Sequence, residues 1–206
     1  MSDPSPTSRE FFEELYRAEP DPWRFADDAY EHERYRRILA AVPAGRYATA
    51  LEPGCSIGVL TRQLADHCGR VIAFDIAEYA VARARRRCAD RPNVELSRGA
   101  LPDDLPTEPV DLVVLSEIGY YFELEALVAL IRRIRDLLRP GGRVVAAHWL
   151  GSSADHVLHG RDVHATLALH LGLDHRQHAE HGSAPGRDEP GSGRVAAFVL
   201  DVWDAA

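Results

Sequence analysis

The sequence is poor in cysteine: Cys55, Cys68 and Cys88 are all it has among 206 residues, and no two form a Cys-x-x-Cys pair. That odd, scattered set argues against a disulfide framework and a zinc knuckle, and fits a reducing cytoplasm. Basic charge is also short. Twenty-four Lys+Arg against 32 Asp+Glu leave a net charge of −8, the wrong sign for the field that nonspecific nucleic-acid binding needs. No apolar run is long enough to cross a bilayer, and Met1 to Ser8 lacks the basic and apolar regions of a secretory signal. There is no internal repeat. There is no Gly-x-Gly-x-x-Gly either, which disfavours a nicotinamide-dependent dehydrogenase. Eight of the ten histidines lie from His148 onward, including His156-x-x-His159 and His175-x-x-His178-x-x-His181. None of these spacings is a known metal-ligand pattern, so exposed histidine and no metal site are expected. What remains is one soluble, cytoplasmic globular domain over residues 1–206, 46% hydrophobic and large enough for a sizeable core. Its oligomeric state is left open.

The most informative stretch is Ala48 to Leu64. A short apolar run ends at Glu52, a turn follows at Gly54-Cys55-Ser56-Ile57-Gly58, and Val59, Leu60 and Leu64 then recur at helical spacing. A buried strand, a glycine turn and a helix start let backbone approach a ligand closely. Two chemistries share these letters. Gly-x-Ser-x-Gly is the nucleophile elbow of α/β-hydrolases, with Ser56 as nucleophile. Glu-x-Gly-x-Ser-x-Gly resembles the first motif of class I S-adenosylmethionine (SAM) methyltransferases.

Residues 1–8 are Pro/Ser-rich and expected to be disordered. Phe11, Phe12, Leu15 and Tyr16 mark one helix face, Pro20-Asp-Pro22-Trp23 breaks it, and a second helix is expected over Asp27–Val42. Strands are predicted at Arg70–Asp75, Asn93–Ser97, Val110–Ser116 and Arg143–His148. Helices are predicted at Ala77–Cys88, Glu123–Leu138 and Asp155–Leu171, the second stopped by Arg139-Pro-Gly-Gly142. Strands alternating with helices imply an α/β parallel sheet covered on both faces. Asp174–His181, a Gly/Pro/Ser-rich loop over Gly182–Gly193 and Arg194–Trp203 suggest a terminal antiparallel hairpin.

Three features favour the methyltransferase. The segment before the motif is helical, whereas hydrolases place several strands there. Asp75 ends the next strand about twenty residues past the glycine turn, where Rossmann-type folds set a carboxylate for ribose hydroxyls. A Pro-Gly-Gly turn precedes the fifth strand. Further stretches narrow the resemblance: Asp21-Pro-Trp23, Tyr30-Glu-His-Glu-Arg-Tyr35, Leu51-Glu-Pro-Gly-Cys-Ser-Ile-Gly-Val-Leu60, Ser116-Glu-Ile-Gly-Tyr-Tyr-Phe122 and His148-Trp149. From about Phe11 to His164 the chain resembles the NodS family, which N-methylates a deacetylated glucosamine in lipochitooligosaccharide signals. Two departures stand out. Gly119 sits where a bulkier aliphatic is expected, and Ser97-Arg-Gly-Ala100 lacks an Asp often found near adenine, leaving that recognition to backbone groups.

The Pro20–Trp23 break between two short helices suggests an N-terminal helical lid over residues 9–45, and the resemblance implies a Rossmann-like, seven-stranded, mostly parallel sheet with SAM as cofactor. It implies that Glu52 faces the methionine amino group and that Gly54, Cys55, Ser56 and Gly58 close backbone on the cofactor. Asp75 would take the ribose, while Ile76, Ala100 and Leu101 would border the adenine. Ser116 faces the crevice at the carboxyl edge of the sheet. Trp23 would fold over the sulfonium, and Arg34 would pair with the methionine carboxylate. Glu117 would orient or deprotonate an acceptor amine, with His148 as a second general base. A small-molecule acceptor such as an amino sugar follows, with no nucleic-acid or membrane partner. An O-methyltransferase of a secondary metabolite, or a noncatalytic SAM-binding domain, would share the same cofactor residues.

Overall fold

A computed structural model describes residues 8–182 and 197–206. The disorder expected for residues 1–7 and most of the loop expected over Gly182–Gly193 lie outside the described residues. Ser8 does not belong to a disordered end, because its side chain accepts from Phe11 N and caps the first helix.

The chain runs α1 (Arg9–Ala18), α2 (Ala29–Ala40), β1 (Tyr47–Pro53), α3 (Val59–Leu64), β2 (Cys68–Asp75), α4 (Glu78–Arg87), β3 (Val94–Arg98) and β4 (Val110–Ser116). It continues through a single 3-10 turn at Gly119–Tyr121, α5 (Leu124–Leu137), β5 (Leu138–Trp149), α6 (Gly160–His170), β6 (Asp174–Gly182) and β7 (Ala197–Asp204). The strands form one seven-stranded sheet in the order β3-β2-β1-β4-β5-β7-β6. β1 to β5 pair in parallel, and β7 is antiparallel to both β5 and β6. This is the α/β sheet with a terminal antiparallel hairpin that the strand pattern implied. Strand order reverses at β1, so the crevice beyond the carboxyl ends of β1 and β4 is where such a sheet receives a ligand.

Alternation along the strands sets the two cores. Ala50, Leu112 and Val114 face a layer with Ile38, Leu60 and Leu64. Leu51, Val113 and Leu115 face the opposite layer with Leu127, Ile131 and Val163. Ile38 and Val42 are completely buried against the sheet, so α2 is part of the core. The lid expected over residues 9–45 therefore cannot include α2 as a free element. α1 lies on the N-terminus of α4, where the Glu13 carboxylate accepts from Glu78 N and Tyr79 N at 3.0 and 3.2 Å. An anion at unpaired helix amides is stabilising.

Two boundaries differ from expectation. β5 begins at Leu138 rather than Arg143: Leu138 pairs with Val110, the register then shifts, and Arg143 pairs with Leu112. The Pro-Gly-Gly turn is thus absorbed as a bulge in which Gly141 has φ 74°. The helix expected from Asp155 starts only at Gly160. Val157 N and Leu158 N donate to Tyr120 O and hold residues 155–158 out of a helix, and the His159 side chain caps the helix that follows.

Candidate active site

At the carboxyl edge of β1, β2 and β4 lies a cavity of about 380 Å³. Its floor is the glycine turn. Gly54, Ser56 and Gly58 have φ of 72°, 51° and 77°, left-handed geometry that glycine adopts freely and serine rarely does. The turn is bound to the end of β2: Gly54 N and Cys55 N donate to Phe74 O, and Ser56 N donates to Asp75 Oδ2 at 2.9 Å. Asp75 Oδ1 accepts from Ala77 N at 3.0 Å. Burial pushes this carboxyl up to about 6, against the pull of the Ala77 and Ser56 amides. Ser56 Oγ accepts from Tyr16 OH at 2.5 Å, and among the described residues no histidine lines the cavity. The serine therefore has no base to make it a nucleophile, and the hydrolase alternative falls.

Glu52, at the end of β1, is buried, and burial pushes its carboxyl up to about 8. Its Oε2 has no hydrogen-bond partner among the described residues. Arg34, from α2, is buried too and reaches the same cavity. It is ion-paired with Glu31 and with Glu117 Oε2, the latter at 3.0 Å. Burial alone would weaken its charge, but Glu117 and Glu31 reverse that and raise its pKa. Its Nε nevertheless lacks a hydrogen-bond partner among the described residues.

Glu117 follows β4 at φ 57°. Its Oε1 accepts from Trp149 N at 2.7 Å, and its Oε2 accepts from Tyr120 OH at 2.8 Å. With Arg34 added, both oxygens are engaged, which suits an orienting group better than a proton acceptor. Ile76, Ala100, Leu101 and Ser116 border the cavity with Trp23. The Ala100 amide, one of the backbone groups expected to read adenine, is already bonded to Asp104 Oδ2 at 2.8 Å. Gly58 stands behind the wall, its Cα packed on α4 so closely that a Cβ would sit 3.0 Å from Ala84 Cα.

His148 is corrected. It does not line the cavity, and its ring is fully buried. Its Nε2 accepts from Gly119 N at 2.9 Å and its Nδ1 meets His164 Nε2 at 3.0 Å. Burial, then the neighbouring His164, Arg34 and His156, hold its pKa well below the ordinary value. It has no nitrogen to offer a substrate. The expectation of exposed histidines fails with it for His164, which is buried against Asp201.

Sequence reasoning had placed Phe12 and Tyr16 on a helix face and overlooked Phe25. With Trp23 they roof the cavity: Tyr16 meets Trp23 edge-on at 5.5 Å, and Phe25 stacks on Trp23 at 5.5 Å. The amphipathic spacing of α1 signals Phe12 and Tyr16, whereas Phe25 lies beyond α1 in a turn with no periodicity to mark it.

The NodS (nodulation protein S) family profile matches residues 8–173. The chain belongs to the NodS family. It is 31% identical to nodulation protein S of Sinorhizobium fredii over 140 residues, 67% of this chain and 63% of that protein. It is 30% identical to nodulation protein S of Bradyrhizobium diazoefficiens over 173 residues, 80% of this chain and 81% of that protein. The chain thus spans less than two thirds of the Sinorhizobium protein. In fold it superposes with TM-score 0.79 on the N-methyltransferase NodS of Bradyrhizobium japonicum in complex with S-adenosyl-L-homocysteine, at 24% identity over 93% of this chain and 96% of that one. No described helix of this NodS-family chain is long and apolar enough to cross a membrane.

Proposed function

We propose that this chain is an S-adenosylmethionine-dependent N-methyltransferase acting on a free amino group of a small molecule, an amino sugar or a deacetylated chitooligosaccharide. One observation carries the cofactor assignment. A buried carboxyl at Glu52 and a buried guanidinium at Arg34 each keep an atom without a hydrogen-bond partner in one cavity, and such groups are costly unless a ligand completes them. An amino acid's ammonium and carboxylate are the complementary pair, and Asp75 beside them suits a ribose.

When bound, the cofactor supplies a methyl group already activated by a sulfonium centre. The residues then hold and orient. Glu52 would take the ammonium, Arg34 Nε the carboxylate, and Asp75, fixed by the Ser56 and Ala77 amides, the ribose hydroxyls. Tyr16, Trp23 and Phe25 would exclude water, and the Trp23 face would favour a cation. Glu117, held by Trp149 N, Tyr120 OH and Arg34, would align the acceptor amine. An amine with a pKa near the ~7.7–8.0 of an α-amino group is partly neutral near pH 7 and needs no strong base. A cytoplasmic site of action suits the three buried free cysteines, and the net charge of −8 favours a cationic acceptor over nucleic acid.

The test pairs calorimetry with S-adenosylhomocysteine and transfer of labelled methyl from SAM to deacetylated chitooligosaccharides. Binding and transfer are expected, with the fully N-acetylated sugar inert because an amide lone pair is delocalised. Absence of binding would end the cofactor assignment. Equal labelling of both sugars would move the methyl to a hydroxyl.

A further inference from the structure

His148 in β5, His164 in α6 and Asp201 in β7 lie outside the cavity, buried in the apolar layer between the sheet and α5/α6. Polar groups there are tolerated only when bonded, and these three are bonded in a row. Asp201 Oδ2 meets His164 Nδ1 at 2.5 Å, His164 Nε2 meets His148 Nδ1 at 3.0 Å, and Gly119 N meets His148 Nε2 at 2.9 Å. His175 Nε2 and His178 Nδ1 close the outer end on Asp201, at 2.5 and 3.0 Å.

The row has one consistent proton arrangement. The Gly119 amide can only donate, so His148 Nε2 is the acceptor and its proton sits on Nδ1. His164 Nε2 must then accept, so its own proton sits on Nδ1 and points to the Asp201 carboxylate. Gly119 belongs to the turn directly after Glu117 and before Tyr120. A Cβ at Gly119 would come within 2.9 Å of His148 Nε2 and 2.4 Å of Val163 Cγ1. The glycine where a bulkier aliphatic was expected is therefore what lets the imidazole reach the amide.

We propose that His148, His164 and Asp201 are positioning residues for methyl transfer: Asp201 fixes the tautomer of His164, His164 fixes that of His148, and His148 holds the Gly119 amide so that the Glu117–Tyr121 turn presents Glu117 to the acceptor. Glu117 needs this support because its own φ is 57° and its carboxylate sits at the meeting of α2, β5 and the turn. The kinetic arm of the test rests on the amine-methylation reading above, whereas its spectroscopic arm does not.

In uniformly ¹⁵N-labelled protein with S-adenosylhomocysteine, multiple-bond ¹H–¹⁵N correlation should find His148 and His164 both as Nδ1–H tautomers. His164→Phe removes the acceptor for His148, whereas His164→Gln keeps an oxygen within its reach. With a deacetylated chitooligosaccharide as acceptor, the Phe variant should lose about tenfold or more in kcat while S-adenosylhomocysteine affinity stays within about twofold. The Gln variant should recover most of that kcat, and Gly119 amide exchange should quicken in the Phe variant alone. A wild-type His148 carrying its proton on Nε2 overturns the proposal, and does so even where the Phe variant fails to fold. So does a folded Phe variant with wild-type kcat and Gly119 exchange, or equal damage by Phe and Gln. If the wild type methylates no amine, the functional reading fails while tautomer and exchange still decide the positioning role.

Discussion

Cofactor binding should release a proton from Glu52. In the ligand-free chain burial holds this carboxyl at about 8, so at pH 7 it is roughly nine-tenths protonated. A ligand ammonium favours the carboxylate and displaces that proton. About 0.9 proton should therefore leave per S-adenosylhomocysteine bound at pH 7, read by calorimetry in buffers of different ionisation enthalpy. Asp75, held at about 6, should add a second, smaller release below pH 7 as ribose hydroxyls favour its charged form. Because the carboxylate form of Glu52 binds, affinity should rise about ninefold from pH 6 to 7 and about fivefold from 7 to 8. Above that it should fall again once the ligand amine, made more basic by its neighbouring carboxylate, loses its own proton. Glu52→Gln should abolish most of the release at pH 7 and weaken binding by roughly 1.5–3 kcal/mol, the range for a hydrogen bond to a charged group. Tight binding at pH 7 with no buffer-dependent enthalpy would refute the reasoning, since Glu52 would then be ionised before the ligand arrives or remain out of contact with it.

The same shifts govern stability without ligand. Glu52 and Asp75 have folded pKa values above their unfolded ones, whereas His148 is held well below its own and opposes them up to about pH 6.5. From there to about 8 the folded state binds more protons through Glu52, so stability should fall as pH rises, by up to about 1.4 kcal/mol per unit. Denaturant midpoints across that window check the sign, and saturating S-adenosylhomocysteine should flatten the slope. Gly58→Ala should cost more than Gly45→Ala by about 1–3 kcal/mol. Both glycines have φ above 70°, but only the Gly58 Cβ would meet Ala84, at 2.9 Å from its Cβ and 3.0 Å from its Cα; chemical denaturation of the two variants gives the difference. Ser56→Ala should keep most methyl transfer, since Ser56 binds Asp75 through its backbone N and offers its side chain only to Tyr16; near-total loss would revive the nucleophile. If α1 and the Trp23 turn act as a lid, amide exchange over residues 11–28 should slow on adding S-adenosylhomocysteine, and unchanged exchange would leave Trp23 as a plain anchor.

Much of the fold was local and therefore legible. Strand alternation, helical spacing and the Gly54–Gly58 turn depend on neighbours a few residues apart, and together they marked β1 to β4, α4 and α5 to within a few residues. Asp75 was legible for the same reason, as an acid at the end of a buried strand. Contacts between distant segments were not. Arg34 and Glu117 are 83 residues apart, and only the docking of α2 against the end of β4 turns a helix arginine and a strand-end acid into one ion pair. The late start of α6 depends on Tyr120 O, which captures Val157 N and Leu158 N from a loop that would otherwise continue the helical pattern. His148 shows the division most clearly. Its place at the end of β5 suggested a base facing the cavity, yet strand alternation puts it on the face of Val144 and Ala146, toward α6. Asp201 shares that layer with Trp203, and one acid among inward apolar positions was the single trace of the buried row in the sequence. Which groups would satisfy it was decided by packing, because a buried charge takes whatever donors the tertiary structure brings within reach.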